Sequence, residues 1–222
     1  MTNPSLNQLL LDTKNSLEHP VYHPERWLSN HILLVTLRAV LISGNINVIL
    51  AALLHDLMKP QKGEFVETEA GPYWSNPKHA GQIASVIDEN GGIAYFIRSM
   101  GGDIKHVSDM CRYHMGVKDG ATKKSRFTPH MDLFPVLDDM VDRKPIGEVL
   151  IPSIILPGDK SPRYNAILTF CGMSPIQIRT LKHAREFTIT LNRTPYTFRF
   201  NMIPTLVEQF NPELADVLKI LI

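Results

Sequence analysis

The chain has 222 residues, 44% apolar and 20% charged, which fits one domain with an appendage, or at most two small domains, and excludes a disordered chain. Its 23 basic and 22 acidic residues leave a net charge of +1, so no global polyanion-binding surface is expected, although a local basic patch remains open. Two cysteines, Cys111 and Cys171, are too few for a disulfide framework and nothing resembles a zinc knuckle.

In chain order, the first two-thirds reads as helical. Leu6 to Leu17 is a short amphipathic helix ending before Pro20. Leu28 to Ser43 carries apolar residues at helical spacing and stops at Gly44. Within it, the longest apolar stretch is broken by Thr36 and Arg38 and is too short to span a bilayer. Asn45 to Met58 is apolar almost all round, as expected of a central buried helix, and Pro60 is expected to end it. Gln61 to Ser75 is turn-like, with a short hairpin around Gly71-Pro72. Asn76-Pro77 opens a helix running to about Glu89, with Asn76 as its cap. Ile93–Met100, Asp103–Tyr113 and Asp132–Arg143 are further helices, with a basic loop from Lys118 to Pro129 before the last.

The character changes after Pro145, where a soft boundary separates residues 1–145 from 146–222. Ile146 to Pro162 is a packed, Pro/Gly-punctuated connector, and Ser174-Pro175 is expected to start a helix reaching about Arg185. Phe187, Ile189 and Leu191, then Tyr196, Phe198, Phe200 and Met202, alternate with polar residues on either side of Asn192–Pro195, a hairpin pattern. Asn211-Pro212 caps a final helix, Glu213 to Ile222. The N-terminus lacks a secretory pattern, so a cytoplasmic protein is expected.

The sharpest chemical feature is His55-Asp56 inside Ala51-Ala-Leu-Leu-His-Asp-Leu-Met58. A charged carboxylate in an apolar interior must be paired or must bind a metal. On the dipeptide alone two readings stand level: a metal site, or Asp56 paired with a nearby lysine beside a satisfied core histidine. The rest of the chain tips the balance. His31 sits in an apolar helix, His79 in the first turn of another, His114 ends Cys111-Arg-Tyr-His, and Asp138, Asp139 and Asp142 share a helix with Leu133, Val136 and Leu137. Each helix brings a nitrogen or oxygen donor beside its apolar face, the way metal sites in bundle cores are built. A His/Asp set without Cys suits Mn, Fe, Co, Ni, Zn or Mg, and so many donors favour two divalent ions over one.

The order His31, His55-Asp56, His79, His114 and a distal Asp resembles the HD superfamily of metal-dependent phosphohydrolases in its binuclear form. Trp27-Leu-Ser-Asn-His31 resembles the family's first-histidine motif, and Leu53-Leu-His-Asp-Leu-Met-Lys-Pro60 its Leu-His-Asp-x-x-Lys-Pro block. The nearest likeness is to the HD domains of bacterial tRNA nucleotidyltransferases, over residues 20–145. Met58 and Met115 depart from residues many relatives carry. The resemblance implies a mostly α fold, an HD-type helical bundle, here followed by a small α+β C-terminal extension containing the hairpin.

The resemblance further implies that Asp56 bridges both metals and orients the attacking water. His31, His55 and Asp139 would complete one metal, His79 and His114 the other, with Asp138 and Asp142 as alternatives for the distal ligand. Lys59, one turn past Asp56, is assigned to phosphate, with a leaving-group acid role or simple helix-end pairing as its alternatives. Arg26 and Trp27 are candidate substrate contacts through phosphate and base stacking, and Arg112 through bidentate phosphate binding, against packing and surface ion pairing. The run Lys118, Lys123, Lys124, Arg126 is a weaker anion candidate. Tyr73-Trp74 lines the pocket or packs the hairpin, and His19, His23, His106, His130 and His183 are given no metal role. The expected partner is a small nucleotide, hydrolysed by a 5′-(deoxy)nucleotidase-type phosphomonoesterase. A phosphodiesterase on 2′,3′-cyclic or other cyclic or dinucleotide phosphates comes next, then a dNTP triphosphohydrolase. The reading outside enzymology is an RNA-binding or regulatory module with a structural metal. No membrane partner is expected, and an oligomer is compatible with the sequence.

Overall fold

The computed structural model describes residues 4–19, 26–42, 45–114, 147–148, 173–178, 186–191 and 194–222. Helix α1 (Leu6–Lys14) starts where the Ser5 hydroxyl accepts from the Gln8 amide at 3.2 Å, and it ends at Asn15. It stops short of Leu17, which instead bridges the backbone of Trp27. Helix α2 (Leu28–Ile42) and helix α3 (Ile46–Leu54) follow, the second capped by Asn45. Every residue of α3 from Val48 to Leu54 is buried. At about 1.5–3 kcal/mol for each large aliphatic side chain, this one helix contributes a large share of the folding energy.

The expected helix to Met58 divides. Pro60 cannot donate to the carbonyl of Asp56, four residues back, and its ring would collide with it. Helix α3 therefore closes at Leu54, and residues 55–58 turn. The Asp56 carbonyl accepts the Lys59 amide at 3.0 Å, and the short helix α4 (Lys59–Lys62) begins with Pro60 in its first turn. Pro60 thus opens an element rather than only ending one. Strands β1 (Glu64–Val66) and β2 (Tyr73–Ser75) form the small antiparallel hairpin, Phe65 opposite Trp74. The expected start at Asn76-Pro77 is corrected: helix α5 (His79–Glu89) begins later, with Lys78 in the cap position, and the Asn76 side chain accepts the Lys78 amide at 3.1 Å while its own side-chain amide is drawn to the Met58 carbonyl at 2.8 Å.

Helices α6 (Gly91–Ser99) and α7 (Ile104–Tyr113) are capped by Asn90 and Asp103. Gly101, at φ 79°, ends α6 with its amide on the Arg98 carbonyl at 2.9 Å and that of Gly102 on Ile97 at 2.8 Å, a paired closure that favours glycine.

Beyond these lies an antiparallel sheet in the order β3 (Gly147–Glu148), β4 (Met173–Ile178), β5 (Glu186–Leu191), β6 (Thr194–Arg199). The expected hairpin is β5–β6, with Glu186 opposite Arg199 and Leu191 opposite Thr194. The helix expected from Ser174-Pro175 is corrected: those residues lie in β4, where the register shifts between Met173 and Ile176. A proline without an amide is tolerated at such an irregularity, and the β5 edge outweighs a local helix start. The expected helix over 132–143 and most of the 146–162 connector lie outside the described residues.

After a single 3-10 turn at Phe200–Met202 come α8 (Ile203–Glu208), which the sequence pattern did not reveal, and α9 (Pro212–Leu218), capped by Asn211 and closed by a 3-10 turn at Lys219–Leu221. Phe200, Ile203, Val207, Leu214, Leu218 and Leu221 are buried in the same core as Leu9, Leu10 and the apolar faces of α2, α3, α5, α6 and α7. Among the described residues no helix is long and apolar enough to cross a membrane.

Candidate metal centre

Four imidazoles and one carboxylate meet at the C-terminal end of α3. His31 comes from α2, His55 and Asp56 from the turn after α3, His79 from the first residue of α5 and His114 from the end of α7. All five are buried, at 4% exposure or less. Asp56 lies at their middle. Its Oδ2 is 3.4 Å from His31 Nε2 and 3.2 Å from His55 Nε2, and its Oδ1 is 2.9 Å from His79 Nε2 and 3.8 Å from His114 Nε2.

The backbone sets which nitrogen of each ring faces inward. His55 Nδ1 sits 2.9 Å from the Ala52 carbonyl, His79 Nδ1 2.6 Å from that of Asn76, and His114 Nδ1 2.7 Å from that of Cys111. A carbonyl only accepts, so each Nδ1 carries the hydrogen and each neutral ring turns a bare Nε2 lone pair inward. The lone pairs of His79 and His114 then confront each other, their Nε2 atoms 3.1 Å apart, and that of His55 faces His31 Nε2 at 3.2 Å. The same tautomer explains why Asp56 Oδ1, although within 2.9 Å of His79 Nε2, has no hydrogen-bond donor. Two acceptors at that distance repel unless a cation stands between them. The residues therefore fit a divalent ion: neutral imidazoles oriented by carbonyls around an ionised carboxylate are the donor set such ions take.

The ligand atoms fall into two groups, His31–His55–Asp56 and Asp56–His79–His114, each with its atoms within 4.8 Å of one another. Burial alone would raise the Asp56 carboxyl, but the positive charges of Lys59 and of His55 and His79, when those imidazoles are protonated in metal-free protein, outweigh it and hold it well below the ordinary carboxylate range. Asn76 ties the site together, since its carbonyl holds His79 while its side-chain amide donates to the Met58 carbonyl at 2.8 Å.

Lys59 reaches the site. Its ammonium is 2.8 Å from Asp56 Oδ2 and 3.1 Å from Oε1 of Glu18, a buried residue that the sequence pattern did not single out. No periodicity marks Glu18, and its lysine partner is 41 positions away in the chain.

Three other candidates have different surroundings. The Arg26 guanidinium donates to the Glu18 carbonyl and, at 2.7 Å, to the Pro72 carbonyl, so it acts as a backbone clamp. Burial lowers its pKa against the upward pull of the Glu18 carboxylate. Arg26 also sits at φ 66°, a left-handed conformation costing a non-glycine residue about 1–3 kcal/mol. Trp27 lines a cavity of about 530 Å³ with Lys14, Asn30, Leu33, Arg199 and Phe200, which none of the five ligands borders. On α2, Ser29 and Leu33 of that cavity are each two residues from His31, about 200° round the helix. The cavity and the metal centre thus lie against opposite faces of α2. Arg112 pairs with Asp88 at 3.0 Å on the surface.

Trp74 packs edge-on against Phe65 in the hairpin, and Tyr73 against His19. His106 is half exposed beside Asp103 and takes no part in the cluster. Asp138, Asp139, Asp142, the basic run from Lys118 to Arg126, His23, His130 and His183 lie outside the described residues.

The model of the HD domain matches residues 28–155, more than half of the chain. No curated protein and no solved structure matches the chain. The matched span includes every member of the buried cluster, and the chain belongs to the HD-domain family of metal-dependent phosphohydrolases.

Proposed function

We propose that this chain hydrolyses the phosphomonoester of a small nucleotide, in the manner of a 5′-(deoxy)nucleotidase, using two divalent ions held around Asp56. The supporting observation is the division of the buried ligands into two triads that share one carboxylate. Asp56 turns one oxygen to each triad, which is what a bridging ligand does. Asp139 is assigned to the His31–His55 side, following the family motif. The nitrogen and oxygen donors suit Mn, Fe, Co, Ni, Zn or Mg. When bound, such ions supply Lewis acidity, lowering the pKa of water and neutralising charge on the phosphoryl group.

The chain's own residues do the rest. The carbonyls of Ala52, Asn76 and Cys111 lock three imidazoles in the ligating tautomer. The apolar walls of α2, α3 and α7 keep bulk water out, which strengthens every charge interaction inside. Lys59 places a positive charge against Asp56 Oδ2 and is assigned to a phosphate oxygen of the substrate.

The test is a panel of nucleoside mono-, di-, tri- and cyclic phosphates offered to protein loaded with Mn²⁺, Co²⁺, Ni²⁺ or Mg²⁺. Inorganic phosphate is expected from 5′-monophosphates, with kcat/KM reduced by at least about 100-fold in His55→Ala and Asp56→Ala. Turnover of cyclic phosphates or triphosphates alone would reassign the substrate. Unchanged rates in both variants would remove the metal centre from the reaction.

A further inference from the structure

Glu18 lies in the segment joining α1 to α2, and its backbone is held on several sides. Its amide donates to the Arg26 carbonyl at 2.8 Å, and its carbonyl takes the Arg26 guanidinium. The neighbouring Leu17 carbonyl accepts the Trp74 amide of β2 at 2.9 Å, and the Ser16 carbonyl accepts the Leu28 amide that opens α2, also at 2.9 Å. Arg26 also holds Pro72, just ahead of β2. One segment is thus tied to α2 and to the β1–β2 hairpin, and a left-handed arginine is retained to do it.

What this scaffold presents is a carboxylate of a residue only 4% exposed, 3.1 Å from Lys59 Nζ. Lysine is a point charge on a flexible four-carbon stem and does not fix its own position. Here two carboxylates from distant parts of the chain, Glu18 at 3.1 Å and Asp56 at 2.8 Å, fix it together.

We infer that Glu18 is a positioning residue, anchoring the Lys59 ammonium beside Asp56 in the place from which it meets the substrate's phosphate. The inference rests on the proposed function in taking Lys59 as a phosphate contact. With Glu18 neutral, one of the two fixed charges on the ammonium is gone, and the flexible stem no longer keeps it in the place that meets the incoming anion. A simple charge effect has the opposite sign, because deleting a carboxylate near an anion site tightens anion binding.

The probe is inorganic phosphate, titrated calorimetrically into Mn²⁺-loaded protein after a separate Mn²⁺ titration. Glu18→Gln is expected to weaken phosphate about tenfold, as second-layer changes around metal sites do. Lys59→Met should weaken it at least as much, and adding Glu18→Gln to Lys59→Met should weaken it no further. Glu18→Asp keeps the charge but falls one methylene short of Lys59, so it should behave like Glu18→Gln; it also serves if the glutamine variant does not fold. Phosphate binding that is unchanged or tighter in Glu18→Gln overturns the inference, as does equal weakening on the Lys59→Met background. Absence of Mn²⁺ uptake by the wild type overturns the metal reading and this inference with it, and the first titration reports that separately.

Discussion

Asp56 is the carboxylate on which the four imidazoles of the cluster converge. Burial would favour its neutral form, yet in metal-free protein the charges of Lys59 and of protonated His55 and His79 hold the carboxyl well below the ordinary range. A carboxylate with a depressed folded-state pKa stabilises the fold above its unfolded value, about 3.9, and that contribution disappears as the pH falls through the folded value. In metal-free protein, the Tm difference between wild type and Asp56→Asn should therefore narrow as the pH falls below about 4. A difference that widened on acidification would contradict this electrostatic picture. Cys111 shows the opposite regime, since burial, reinforced by the Asp56 charge, pushes its thiol far up. Thiol alkylation of the native protein, mapped by peptide, should leave Cys111 unmodified until the chain unfolds. Residues of this kind differ in how readable they are from sequence. His55-Asp56 stood out because a charged pair interrupts an apolar run. Glu18 and the clamping role of Arg26 did not, because their partners Lys59 and Pro72 come from other parts of the chain.

The elements were legible where one local rule governed them. Asn211 caps the helix that follows it, as its place before Pro212 predicts, because a short polar side chain ahead of an apolar run has little else to bond locally, whereas the Asn76 side-chain amide is taken by the Met58 carbonyl and Gln82 and the residue does not cap α5. Prolines were harder, since their effect depends on what lies beside them. Pro60 splits one expected helix and seeds the next, while Pro175 sits in a strand because β5 offers a partner. The burial of α3 gives a direct test. Leu53 is fully buried in the core beneath the His55-Asp56 turn, and Leu53→Ala should cost about 2–5 kcal/mol in chemical denaturation. A loss below about 1 kcal/mol would mean that α3 is not the central helix.

For the whole molecule, the centre joins distant segments, and packing alone leaves the His79 and His114 lone pairs opposed. A divalent ion that binds only the folded form should raise stability by about 2.7 kcal/mol at a hundred times its Kd. Scanning calorimetry should then show Mn²⁺ raising Tm by roughly 5–10 °C over chelated protein, and an unchanged Tm would rule out occupation of the cluster. The α-helical class was readable from pattern and motif together, and so were His31, His55, Asp56, His79 and His114 as a candidate metal-binding set. The arrangement of the rest was not, because sheet pairing and the joining of α8 and α9 to the core are long-range matters that no local spacing encodes.

Leu9 and Leu10 share their core with Leu214, Leu218 and Leu221, and α2, the bearer of His31, is packed in that same core. The seating of α2 is thus shared with residues far along the chain, so truncating Leu214, Leu218 or Leu221 to alanine should loosen His31 and weaken ion uptake at a cluster to which none of the three contributes a donor.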